Sequence, residues 1–267
     1  MLIDRGTLVF AQRDSEGLIE VVDQDGVRTL YFGTRAAQSS MLLYAPATLA
    51  LEYTRCMLAA LLFQPRPRRI LLIGLGGGSL ARFLLQYMPR AQIECVEMRP
   101  SVVDLARRYF KLPDRKQLRI HVGDGSEFLR DSTPDSFDLI LVDAFDGAGV
   151  HESVCPASFY ADCRRALTAT GVLSTNLWAT PNSPLNDIFK EMQQGFEGQI
   201  LRLPVEKRAN LIALGLSTPQ SRKDLKLLRE PARELATRLG IDFPKQLQRI
   251  EQHNGSAIRR LMGWATR

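Results

Sequence analysis

The chain has 267 residues, 45% hydrophobic and 24% charged, the composition of a globule with length for one large domain or one domain with an appendage. Its formal net charge is +6, but between Asp124 and Glu152 eight acids stand against Arg130 alone. This local excess of acid argues against a nucleic-acid face, and residues 57–63, the longest purely apolar run, are too short to cross a bilayer. Cys56, Cys95, Cys155 and Cys163 form no CxxC pair, and His121, His151 and His253 are isolated, so neither a metal centre nor a disulfide frame is expected. The charged start "MLIDRG" lacks the apolar run of a secretory signal, and a cytoplasmic protein is expected.

Residues 1–44 hold three short β-like runs, "TLVFAQ", "LIEVVDQ" and "RTLYFG", with Asp25-Gly26 as a hairpin turn. They predict a small antiparallel unit, followed over 45–267 by the main domain. A helix is expected from Pro46 to Phe63, ended by the prolines of "QPRPRR". An alternation then begins: strand 68–74, helix 79–88, strand 91–98, helix 101–110, strand 117–123, short helix 126–131, strand 137–144, helix 155–167 and strand 171–178. Ser101 can cap its helix, with Asp104 in the first turn. Such alternation predicts parallel βαβ units and an α/β, doubly wound sheet. "QILRLPVE" and "ANLIALGLS", separated by a short polar gap, predict an antiparallel pair at the sheet edge, and helices fill most of 221–263.

"LLIGLGGGSL" follows a strand and opens a helix. Gly74, Gly76 and Gly78 permit a tight turn and close approach by a ligand to free backbone N–H groups. Glu97 ends the next strand, where an acid can accept from both hydroxyls of a ribose. Together these features point to nucleoside binding by Glu97 and its neighbour Met98, with NAD and S-adenosylmethionine both open. Asp124, followed by Gly125, ends the third strand. It can reach an adenine amino group, cap the following helix, or do both. Asp143 and Asp146 end the fourth strand "LILVDAFDG". Ligands of open α/β sheets bind outside the carboxyl ends of the strands, so Glu97, Asp124 and Asp143 are expected to converge on one crevice. A carboxylate there can draw in a protonated amine and take its proton. The acidic block would make the crevice net negative, which suits two cationic reactants.

The order "YTRCMLAALLFQPRPRRILLIGLGGG", "VEM", "VGDG", "FDLILVDAFD" and "SFYADCRRAL" resembles the spermidine synthases, the polyamine aminopropyltransferases, over residues 20–180. It is closest to a shorter spermidine-synthase-like branch. The resemblance implies a methyltransferase-type Rossmann-like sheet behind a β-rich start, a homodimer, and a small-molecule amine as substrate. Its cosubstrate would be an S-adenosyl donor, decarboxylated S-adenosylmethionine or S-adenosylmethionine, and no metal. It also implies that Glu97 holds the ribose and Asp124 lies near adenine. Asp143 would deprotonate the attacking amine and Asp146 hold it, with Gln38 binding the donor and Tyr53 lining the acceptor. The chain departs from the family at Gly77, where an Asp grips the donor's aminopropyl chain, at Arg55, where a Glu follows the Tyr, and at Gly147, where a Pro stands.

Competing readings are an S-adenosylmethionine-dependent methyltransferase and a nucleoside-binding module without catalysis, since a fold and a cofactor site do not fix a chemistry. Apolar Leu72 stands where ordinary methyltransferases carry an acid. An NAD oxidoreductase is further off, because His151 is the one loop proton donor in view.

Overall fold

The computed structural model describes residues 6–34, 36–145, 150–178 and 185–255. Its first unit is a four-stranded antiparallel sheet, β1 (Thr7–Asp14), β2 (Gly17–Gln24), β3 (Val27–Tyr31) and β4 (Ala37–Leu42), in that order. Three of these follow the expected runs. The fourth, "AQSSML", lacks the β-branched residues that mark a strand and forms because β3 pairs with it. The expected helix from Pro46 to Phe63 is shorter: α1 spans Glu52–Met57 and tightens into a 3₁₀ turn over Leu58–Leu62.

The alternation then builds β5 (Arg69–Ile73), α2 (Ser79–Tyr87), β6 (Gln92–Glu97), α3 (Pro100–Arg108), β7 (Leu118–Val122), α4 (Gly125–Asp131) and β8 (Phe137–Val142). It continues through α5 (Ala157–Ala166), β9 (Leu167–Trp178) and α6 (Leu185–Gly195). β10 (Gln199–Pro204) and β11 (Asn210–Leu216) form the expected antiparallel pair, and β11 runs antiparallel to β9. α7 (Arg222–Leu227), α8 (Arg229–Leu239) and α9 (Phe243–His253) follow. The strand order is β10-β11-β9-β8-β5-β6-β7, with β5 through β8 and the start of the β9 pairing all parallel. Ser101 does not cap α3, which begins at Pro100. Its hydroxyl instead donates to Asp14 Oδ2 at 2.5 Å, fastening the first sheet to the main body.

Alternate residues of β5 explain why the sheet is buried on both faces. Ile70 and Leu72 enter one apolar layer with Leu61, Leu84 and Phe243; Leu71 and Ile73 enter the other with Phe159 and Met192. Ile19, Leu30 and Met41 of the small sheet pack on Val102, Leu105 and Phe110, so the first unit shares a core with α3.

Candidate active site

The strand order reverses between β5 and β8. The chain leaves β5 toward β6 and β7, then returns to the other side of β5 as β8, and the carboxyl ends of the strands open there into a cleft of about 640 Å³. Gly74 forms the floor. Its φ is +92°, and a Cβ there would lie 2.2 Å from the carbonyl oxygen of Asp143, so no side chain fits. The Gly74 N–H donates to Val96 O and the Asp143 N–H to Ile73 O, both at 2.8 Å, which fixes three strand ends against one another.

Glu97 is 8% exposed at the end of β6. Leu75 N donates to its Oε2 at 2.9 Å and Arg99 N to its Oε1 at 3.0 Å. These two bonds orient the carboxylate and leave acceptor capacity toward the cleft. Met98, 41% exposed, lines the same wall with Gly76, Gly125 and Gln38. Asp124 is the N-cap of α4. Its Oδ1 accepts from Ser126 N at 2.7 Å, from Glu127 N at 3.1 Å and from the Ser126 hydroxyl. Burial raises its pKa, but these bonds and one from Ser153 outweigh it and hold the carboxyl below its usual range. Gly123 and Gly125 face the cleft; Asp124 is occupied by the cap.

Asp143 stands at the end of β8 with one side open to the cleft. The Tyr53 hydroxyl reaches its Oδ2 at 3.1 Å and lies 3.2 Å from the Gln38 carbonyl oxygen. Asn176 Nδ2 donates to Oδ1 at 2.9 Å, and Asn210 Nδ2 donates in turn to Asn176 Oδ1 at 3.0 Å. Burial pushes the Asp143 pKa up to about 6, against the stabilising bonds from Asn176 and Tyr53 and with help from the negative charge of Glu97. Burial and the neighbouring Asp143 likewise raise the Tyr53 hydroxyl well above its usual value, so it stays protonated as a donor. Phe145 and Trp178, ring centroids 6.1 Å apart, form an aromatic wall beside this group.

The structure brings Gln38, Tyr53, Gly74, Gly76, Glu97, Met98, Gly125 and Asp143 to one cleft. Gly78 lies beneath the turn with φ +72° as the N-cap of α2. Asp146 and Gly147 lie outside the described residues. Of the eight acids in the acidic block only Asp143 lines the cleft among the described residues. Asp138, for example, accepts from Arg68 N and Arg69 N at the opposite strand end. Gly77 also differs from expectation. It does not face the cleft, and a Cβ there would come within 2.8 Å of Phe110 Cδ1 and 2.9 Å of Ser39 Oγ. Arg55 turns away from the cleft to Glu52 and the Leu49 carbonyl. Among the lining residues that escaped the sequence are Asn176, Asn210, Lys207 and Arg208. A polar residue interrupting "LSTNLW" near a strand's carboxyl end was the available signal for Asn176.

The Spermine/spermidine synthase domain matches residues 52–198. The polyamine aminopropyltransferase of Chromobacterium violaceum is 35% identical over 237 residues, 88% of this chain and 90% of that protein. The Neisseria meningitidis serogroup A protein of the same name is 32% identical over 238 residues, with the same coverage. In fold the chain is similar to a probable spermidine synthase from Corynebacterium glutamicum, with a TM-score of 0.70 at 22% identity, covering 86% of this chain and 87% of that one. A match of this extent makes the protein a transferase, and the chain belongs to the spermine/spermidine synthase family.

Proposed function

We propose that the cleft transfers an aminopropyl group from decarboxylated S-adenosylmethionine to an amine, with Asp143 as general base. Glu97 accepts from the ribose hydroxyls, Met98 and Gly125 flank the adenine, and Gly74 and Gly76 leave room for the nucleoside. Gln38 borders the donor's tail and Tyr53 the acceptor. An ammonium has no lone pair with which to attack carbon. Asp143 attracts it and then takes a proton. The freed nitrogen bonds to the aminopropyl carbon, and the C–S electron pair returns to sulfur as methylthioadenosine leaves. The observation that carries this reading is the buried Asp143 carboxyl, held by Tyr53 and Asn176 across the cleft from Glu97. A base poised near the operating pH is the most effective, and its pKa of about 6 suits that task. Residues 1–44 act in this reading as a separate β unit lending Gln38 to the 45–267 domain, and the family resemblance supports a cytoplasmic homodimer, which light scattering checks.

The test is product analysis. Incubation of decarboxylated S-adenosylmethionine with a panel of amines is expected to release methylthioadenosine, and S-adenosylmethionine with the same panel to give no product. Release of S-adenosylhomocysteine in its place would make the protein a methyltransferase.

A further inference from the structure

Three polar side chains stand in a row where an apolar face of the main sheet runs out. Residues alternate between the two faces of a strand, and Leu139 and Leu141 of β8, Val172 of β9, and Ile212 and Leu214 of β11 enter the apolar layer that holds Cys56 and Met57 of α1. The same alternation puts Asp143, Asn176 and Asn210 on that face, and all three line the cleft. Asn210 stands opposite Trp178 and Ile212 opposite Asn176, so Asn210 reaches Asn176 diagonally across the β9–β11 ladder. Its Nδ2 donates to Asn176 Oδ1 at 3.0 Å, and Asn176 Nδ2 donates to Asp143 Oδ1 at 2.9 Å.

The ordinary reading of two such asparagines is polar filler at a strand end. Asn176 does not fit it. It is only 3% exposed, and its amide has a donor end and an acceptor end of nearly one shape. Half a turn about the last side-chain bond would exchange them and set a carbonyl oxygen against the Asp143 carboxylate. The carboxylate only accepts, so it needs the N–H end, and the other end needs a donor of its own. Among the described residues Asn210 supplies that donor. Tyr53 takes the second carboxylate oxygen from the other side.

We infer that Asn210 is a positioning residue of the reaction: it holds the Asn176 amide with its N–H on Asp143, and thereby keeps the base oriented and in its carboxylate form. This rests on the aminopropyl-transfer reading, whose bonds made and broken are unchanged. Burial raises the Asp143 pKa, and the bond from Asn176 is the largest of the effects that oppose it. A carboxylate that loses a donor holds its proton more tightly, so a loosened amide raises the pKa further. The ionisable groups that share the cleft wall are Glu52 and Tyr53 of α1, Glu97 of β6 with Arg99 beyond it, Glu16 in the β1–β2 turn, His151 after β8, and Lys207 and Arg208 before β11. A neutral substitution at Asn210 alters none of these charges, so a shift in titration reads the hydrogen-bond chain.

The experiment reads Asp143 in two ways: its carboxyl carbon by NMR against pH, without substrates, and the pH profile of kcat/KM for decarboxylated S-adenosylmethionine with 1,4-diaminobutane as acceptor. Asn210→Leu, similar in size but without a donor, is expected to move the carboxyl midpoint up by roughly one pH unit. It is expected to lower kcat/KM about tenfold below the limb while the plateau above it changes little. Loss of folded enzyme would lower both alike. Asn210→Gln keeps an amide N–H and is expected to stay near the wild-type midpoint. In an Asn176→Leu background, Asn210→Leu is expected to add nothing, because the link it breaks is already gone. A midpoint unmoved by Asn210→Leu, moved as far by Asn210→Gln, or moved equally in the two backgrounds overturns the inference. A wild type that releases no methylthioadenosine defeats the transfer reading instead, and the NMR midpoints then uphold or overturn the link from Asn210 to Asp143 by themselves.

Discussion

Asp143 pays for its reactivity in stability. Its carboxyl is an ordinary acid in the unfolded chain and titrates near 6 in the fold. A raised folded pKa means that stability is full below the unfolded pKa and falls as pH rises through about 6. Asp143→Asn removes the charge, keeps an oxygen to accept from Asn176, and turns its NH2 toward the Tyr53 hydroxyl oxygen, whose proton can go to the Gln38 carbonyl. It is therefore expected to raise the unfolding free energy by about 1–3 kcal/mol at pH 8 and by little at pH 4, a difference that denaturant titration at the two pH values measures. Equal effects at both would show that the carboxyl is not strained by burial. Glu97 presents a different balance, since two backbone N–H groups compensate its burial. Glu97→Ala is expected to weaken binding of methylthioadenosine by roughly 10- to 100-fold in calorimetry. Unchanged affinity would remove the ribose assignment. Both acids were legible in the sequence because each ends an apolar strand. The cap role of Asp124 was legible too, from "DGSEF", whereas the engagement of its carboxylate by Ser126 and Glu127 beside two cleft-lining glycines depends on the turn's geometry.

At the level of elements, the glycine turn shows how close packing limits what can be installed. The departure at Gly77 invites restoration of the family's acid. The ring of Phe110 and the hydroxyl of Ser39 already fill the space where its Cβ would go. Overpacking of this kind costs typically 1–3 kcal/mol. Gly77→Asp is accordingly expected to weaken binding of decarboxylated and carboxylated donors together and to lower the melting temperature, without a change in their ratio. A selective gain for the decarboxylated donor would show that the turn opens to admit the side chain. Parallel strands and their helices were legible because continuous apolar runs alternate with amphipathic ones. β4 was not, because its serines carry no strand signal and pairing with β3 imposes the conformation. The expected cap at Ser101 failed because α3 begins at Pro100 with Arg99 at its N-cap, which places Ser101 inside the helix with its hydroxyl free to donate to Asp14.

Across the whole molecule, the cleft lies where three parts meet: the doubly wound sheet, the small β unit through Gln38, and the antiparallel edge pair through Asn210 and the turn before it. The first was legible as a pattern. The other two reach the cleft by tertiary folding, since the turn at Lys207 is more than sixty residues from Asp143 in the chain and returns to it only because β11 pairs with β9. Charge followed the same rule. The acidic block is contiguous in sequence but is dispersed among a helix cap, strand ends and loops, so the sign of the cleft depends on residues drawn from elsewhere. The pH dependence of methylthioadenosine release tests the central claim most directly, read as kcat/KM for the donor in wild type and Asp143→Asn. The profile is expected to rise with unit slope to a plateau through about pH 6 in the wild type, the value to which burial sets Asp143. The variant is expected to lose about 10²-fold or more and to lack that limb. A variant that keeps the wild-type rate and the same limb would contradict the assignment of Asp143 as the base.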